Sequence, residues 1–191
     1  LEQRRRAIKQ GIRLVTWTFN PLLSLNAHLN LRKLGCIAEK YHVNLYGASD
    51  ASGLSDMGWS DRLHADWWVT NRRVEVRLSG QRTAVTLAQY LSGGATLINP
   101  AVQGEVYLQP AVNTRQSSGA FALIEVPLNY PTLIKADAAL GQAWQMHIRE
   151  MFLSLMGNGF IVTDFLRDTY EGRDRGFYLL SYNMGFDFSL N

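Results

Sequence analysis

The chain has 191 residues, 47% apolar and 18% charged, with 19 Lys and Arg against 16 Asp and Glu. This is the balance of a folded globular chain with one large or two small domains, and it excludes a disordered or collagenous polymer. The single cysteine, Cys36, excludes an intrachain disulfide and a Cys-rich zinc site, and it favours a reducing, cytoplasmic compartment.

Residues 1–11 read as a helix stopped at Gly11, a residue suited to the left-handed cap position. The segment starts without Met and resembles the last turns of a helix that begins upstream, so a fragment of a longer chain is expected. Residues 12–19 (IRLVTWTF) are β-branched and aromatic, and predict a strand buried on both faces. Pro21 opens a helix over 22–34, with Leu22, Leu25, Leu29 and Leu34 as its apolar stripe and Gly35 as its stop. Residues 36–46 form a second extended segment. Residues 47–60 (GASDASGLSDMGWS) form a loop, and 62–69 (RLHADWWV) a third strand.

From Asn71 to Gly119 the pattern weakens to extended pieces at 83–91, 96–98 and 105–108, with TRQSSG at 114–119 an exposed loop. Order returns with a strand over 121–126, a turn over 127–131 and one long helix over 132–156. Its Leu133, Leu140, Trp144, Ile148, Met151 and Leu155 recur at helical spacing. Gly157-Asn158-Gly159 ends it, and strands at 160–166 and 176–183 follow, joined by the polar turn RDTYEGRDR. This late stretch repeats the element order of the first, strand–helix–strand–loop–strand, which raises an internal duplication.

The charge excess of +3 is small, and only Arg4, Arg5, Arg6 and the weaker pair Arg72, Arg73 cluster, so nucleic acid is not an expected partner. No apolar run approaches the roughly 18–20 residues that span a bilayer, so no membrane is expected either. Neither a nucleophile-elbow motif nor a Gly-rich phosphate loop occurs. His28, His42, His64 and His147 form no metal-ligand pair by spacing, so no metal is expected and each reads as a surface or satisfied core residue. Cys36 reads as a small buried hydrophobe. Asn26 and Asn30, one turn apart on a helix that Asn does not favour, point either to a polar face in use or to plain solvent contact.

At WTFNPLLSLNAHLNLRKLGC (17–36) the chain resembles the GNAT acyltransferase superfamily, in which a strand feeds an Asn-Ala helix ending in Leu-Gly. YHVNLYG (41–47), SDRLHADWW (60–68), ALIEVP (122–127), AWQMHIREMF (143–152) and GFIVTDF (159–165) are similar to a bacterial branch of predicted acetyltransferases. The resemblance implies an α+β fold, a GNAT-like mixed sheet flanked by helices plus a C-terminal strand–helix–hairpin unit. It divides the chain into residues 1–80, the C-terminal half of an acyltransferase domain, and 81–191, an extension.

The implied cosubstrate is acetyl-CoA or another acyl-CoA, the implied partner a small-molecule acyl acceptor, and a homodimer is a further implication. The first splayed strand and the pyrophosphate loop of such a domain would lie upstream of Leu1. Asn26, Asn30 and Thr18 would contact the cosubstrate, and Trp17 and Arg62 the acceptor. Leu31 stands where many members carry a tyrosine acid, and Asn20 where an acidic residue is expected, an amide that cannot serve as a base. Tyr46 and Asp61 remain as catalytic candidates; Asp61 and Arg62 either orient a substrate or form a structural ion pair. Trp17, Phe19, Trp59, Trp67 and Trp68 hint at a bulky acceptor, or serve as core. A non-catalytic GNAT-like scaffold or dimerisation module is the alternative.

Overall fold

The computed structural model describes residues 2–47 and 60–182. Its first unit begins with helix α1 (Glu2–Lys9), which ends before Gly11 at φ +72°. Strand β1 (Leu14–Phe19) follows. The expectation of a strand buried on both faces is corrected. β1 lies at the outer edge of the sheet, and its exposure alternates from Leu14 outward to the buried Phe19.

The helix after Pro21 also departs from expectation. One α turn, Ser24–Ala27 (α2), widens at once into a π-helical turn, His28–Lys33. The wider turn bonds Leu34 N–H to Leu29 O and changes which side chains face inward. Leu22, Ala27 and Leu31 are buried, whereas Leu25 and Leu29 are 72% and 51% exposed. Gly35, at φ +79°, stops the helix and leads into β2 (Ile37–His42). A turn through Asn44, at φ +47°, leaves β2, and β3 (Arg62–Trp68) returns antiparallel. Most of the loop expected over 47–60 lies outside the described residues.

Between residues 71 and 95 the structure has two helices that periodicity does not show. Asn71 caps α3 (Arg72–Leu78) by accepting from Arg73 N–H. Thr86 and Gln89 form a reciprocal capping box on α4 (Leu87–Ser92), so the extended piece expected over 83–91 is corrected to a coil and a helix. Strand β4 (Thr96–Leu97) follows, and the piece expected at 105–108 is bend and coil.

The second unit opens with β5 (Phe121–Val126). The long helix is broken into α5 (Tyr130–Ala136) and α6 (Ala138–Gly157). Asp137, at φ −143° and ψ 94°, leaves the helical region and caps α6 by accepting from Leu140 N–H. The six residues expected at helical spacing still point inward: Leu133, Trp144, Ile148, Met151 and Leu155 are buried and Leu140 packs against them. β6 (Phe160–Tyr170) and β7 (Arg173–Tyr182) run through most of the expected polar turn. Only Glu171 and Gly172, both at positive φ, make the hairpin connection.

All seven strands join one mixed sheet in the order β1-β3-β2-β6-β7-β5-β4. Each unit places its last strand between its first two, as β1-β3-β2 and β5-β7-β6, with antiparallel pairing throughout. The units meet where Ala38 of β2 pairs with Val162 of β6, and both strands carry a bulge beside that pair. The element order repeated in the sequence is thus a repeated topology. β4 adds a parallel strand beyond β5. Residue 80 falls between α3 and α4, and the main hydrophobic core runs through both sides of that boundary, from Phe19, Leu63 and Trp67 to Trp144, Phe152 and Tyr178. No helix among the described residues is long and apolar enough to cross a membrane.

Candidate functional site

Alternation along the first unit separates two sets of side chains. Trp17, Phe19, Leu63, Ala65 and Trp67 join the core, and Trp67 Nε1–H donates to Leu34 O at the end of the π turn, 3.0 Å away. The intervening positions Thr16, Thr18, Lys40, His42, His64 and Asp66 form a polar, partly open face. Strand register sets Thr18 directly opposite His64 and Thr16 opposite Asp66.

Two contacts give this face chemical content. Thr18 Oγ1 lies 3.3 Å from the Tyr46 hydroxyl, and the Arg62 guanidinium carbon lies 5.1 Å from the centre of the Tyr46 ring. Beside them, His42 Nε2 is 3.4 Å from His64 Nδ1, and His64 Nε2 is 3.5 Å from Asp66 Oδ1. His42, His64 and Asp66 thus form a line of side chains that ends in a carboxylate. Partial burial raises the Asp66 pKa, against the opposing pull of His64 and Lys40.

The remaining expected residues fall elsewhere. Asp61 accepts a two-pronged contact from Arg149 of α6, with both N–O distances 2.7 Å, and also bonds from the Tyr41 hydroxyl and Asn44 N–H. Burial works against its charge, but the bonds from Arg149, Asn44 and Tyr41 outweigh it and lower its pKa. Asp61 is a held carboxylate, and its ion-pair partner is Arg149; Arg62 Nη1 donates instead to the Asp61 main-chain oxygen at 2.8 Å. Asn26 is exposed, whereas Asn30 is only 5% exposed, so the two amides do not share an open face. Asn20 Oδ1 accepts from Leu22 N–H at 2.8 Å and shapes the entry to the helix.

Leu31 is fully buried. Cys36 is buried too, and desolvation pushes its thiol up to about 12, which suits a hydrophobe rather than a nucleophile. Trp17 packs edge-on to Trp67 at 6.1 Å, Phe19 and Trp67 are core, and Trp59 lies outside the described residues. For those three described aromatics, core packing is the structural role.

The bridge from His42 through His64 to Asp66 is absent from the sequence reading, which weighs each histidine singly. The available signal is alternation: Lys40-Tyr41-His42 and His64-Ala65-Asp66 each put two polar side chains on one face of a strand. Among the described residues, no group of three or more His, Cys, Asp or Glu side chains is gathered in a way that could hold a metal ion. Comparison with known proteins gives no match to any family model, curated protein or solved structure.

Proposed function

We propose that this chain serves acyl-CoA-dependent acyl transfer. It would move an acetyl or other acyl group from the CoA sulfur to an amine or another small nucleophile. The supporting observation is the Tyr46 hydroxyl set against Thr18 Oγ1 at the end of β1, with His64 across the strand. In this reading the acceptor nitrogen forms a bond to the acyl carbon as the carbon–sulfur bond breaks. The His42–His64 pair, backed by Asp66 at His64 Nε2, takes the proton from the acceptor, and Tyr46 gives one to the departing sulfur. Asn26, exposed on the first helical turn, is free to contact the cosubstrate, whereas the buried Asn30 is a support for the turn.

The resemblance to the GNAT superfamily supports the same reading through its order of strand, Asn-Ala helix and hairpin. A non-catalytic module is the second reading, and the fixed pairing of Asp61 with Arg149 favours it, because that carboxylate is unavailable as a base.

Thiol release from acetyl-CoA by the full-length protein, measured across a panel of amines, separates the two. Tyr46→Phe and His64→Ala should each lower the rate by about 100-fold or more, the lower end of the range for losing a general acid or base being about 100-fold. Absence of release with every acceptor, or full rates in both variants, would overturn the transferase reading.

A further inference from the structure

Where the π turn meets α3 and β6, a cluster of arginines surrounds one carboxylate. Asp164, 1% exposed, is 2.7 Å from Arg32 Nη1, 3.0 Å from Arg77 Nη1 and 2.6 Å from Arg82 Nη2. Arg73 stands alongside, its Nε donating to Gly35 O at 3.0 Å and its Nη2 to Thr163 O. Three guanidinium groups thus contact a single carboxylate with a fourth alongside, and the cluster shares no residue with the Thr18–Tyr46–His64 face.

The four arginines divide into two kinds. Arg73 and Arg77 bond main-chain oxygens of Gly35, Thr163 and Arg32, which is the work of arginines that hold segments together. Arg32 and Arg82 converge on the same oxygen, Asp164 Oδ2, Arg32 also reaching Val85 O through Nη2 at 3.5 Å, and each keeps about a fifth of its side chain in solvent. Arg82 Nη1 is buried with no hydrogen-bond partner, and so is His28 Nδ1, one turn before Arg32. Desolvation, together with the charge of Lys33, Arg167 and Arg32, lowers the His28 pKa, so the positive field extends to the exposed Lys33 and Arg167. Burying this much like charge against one carboxylate is unfavourable, and a multiply charged anion relieves it while satisfying the unpartnered donor of Arg82.

We propose that Arg32 and Arg82, with Arg77 behind them and His28 beside them, form a site for the phosphate or diphosphate group of a soluble ligand. The guanidinium fork matches tetrahedral oxyanions, and two partly exposed arginines meeting at one point suit a small anion rather than an extended polyanion.

The test is calorimetric titration of the full-length protein with inorganic phosphate and with pyrophosphate, at constant ionic strength held with sodium chloride. Saturable binding is expected, tighter for pyrophosphate, and about tenfold weaker in Arg82→Gln. Arg115→Gln, in the exposed loop after β4, should bind as the wild type does. On the wild-type protein, pyrophosphate should also slow dicarbonyl modification of Arg32 and Arg82, which keeps the proposal testable if Arg82→Gln does not fold. No saturable heat beyond the chloride control, equal affinity in folded Arg82→Gln, or unprotected Arg32 and Arg82 would each overturn the site.

Discussion

The two strand–helix–hairpin units share a topology and treat their sheet faces in opposite ways. In the second unit both faces are covered. Ile124, Phe165, Tyr178 and Leu180 belong to the main core with Trp144 and Phe152 of α6, while Leu123, Leu166, Phe177 and Leu179 pack with Leu87 of α4 and Leu97 of β4. In the first unit the alternate face carries Thr16, Thr18, Lys40, His42, His64 and Asp66 instead. Strand order is therefore separable from use. One unit leaves its polar alternation on an accessible face, and the other replaces it with apolar residues.

The largest test of that contrast lies in the second unit. Arg175 and Glu125 form a fully buried pair, 3.0 Å apart, and Glu125 also accepts from Ala101 N–H. Arg175→Leu leaves that carboxylate without its partner and should cost about 3–5 kcal/mol, read as a drop in the urea midpoint. A loss below about 1 kcal/mol would mean that the second unit is not the stability anchor.

A middle-sized effect is expected at the Asp61–Arg149 bridge, which ties α6 to the start of β3. Because the folded pKa of Asp61 is depressed, its contribution is full above the unfolded carboxylate value of about 3.9 and is lost as pH falls through the folded value. Asp61→Asn should cost about 1–3 kcal/mol at neutral pH, and the difference from wild type should shrink toward pH 2. A gap that stays constant across that range would contradict the charged bridge.

The smallest effect is expected on the open face. His64→Ala should shift unfolding by no more than about 0.5 kcal/mol while it removes the proposed base. A large stability loss there would make His64 a structural residue and erase the contrast between the units.

Much of this fold is legible in the chain because its strands are dense in β-branched and aromatic residues, as in LVTWTF and FALIEV. The short helices are less so. Periodicity cannot register a six-residue helix, although Thr86 and Gln89 carry the spacing of a capping box that marks α4. The π turn has no compositional marker, and neither does the outward placing of Leu25 before it and Leu29 within it. At the site, Thr18, Tyr46 and Arg62 can be singled out from the resemblance, and Tyr46 touches each of the other two. His42 and His64 are 22 residues apart, and their meeting depends on the register of β2 against β3. The Arg149–Asp61 bridge, across 88 residues, depends on how α6 crosses the junction of the units.

The central claim is that the polar face of the first unit is the working surface. Backbone amide shifts of the full-length protein during titration with acetyl-CoA test it most directly. The changes should gather at residues 16–19, at Asn26, at Tyr46 and along 62–66, with β5 and β7 unmoved. Changes concentrated in β5 and β7, or none anywhere at saturating millimolar ligand, would contradict it.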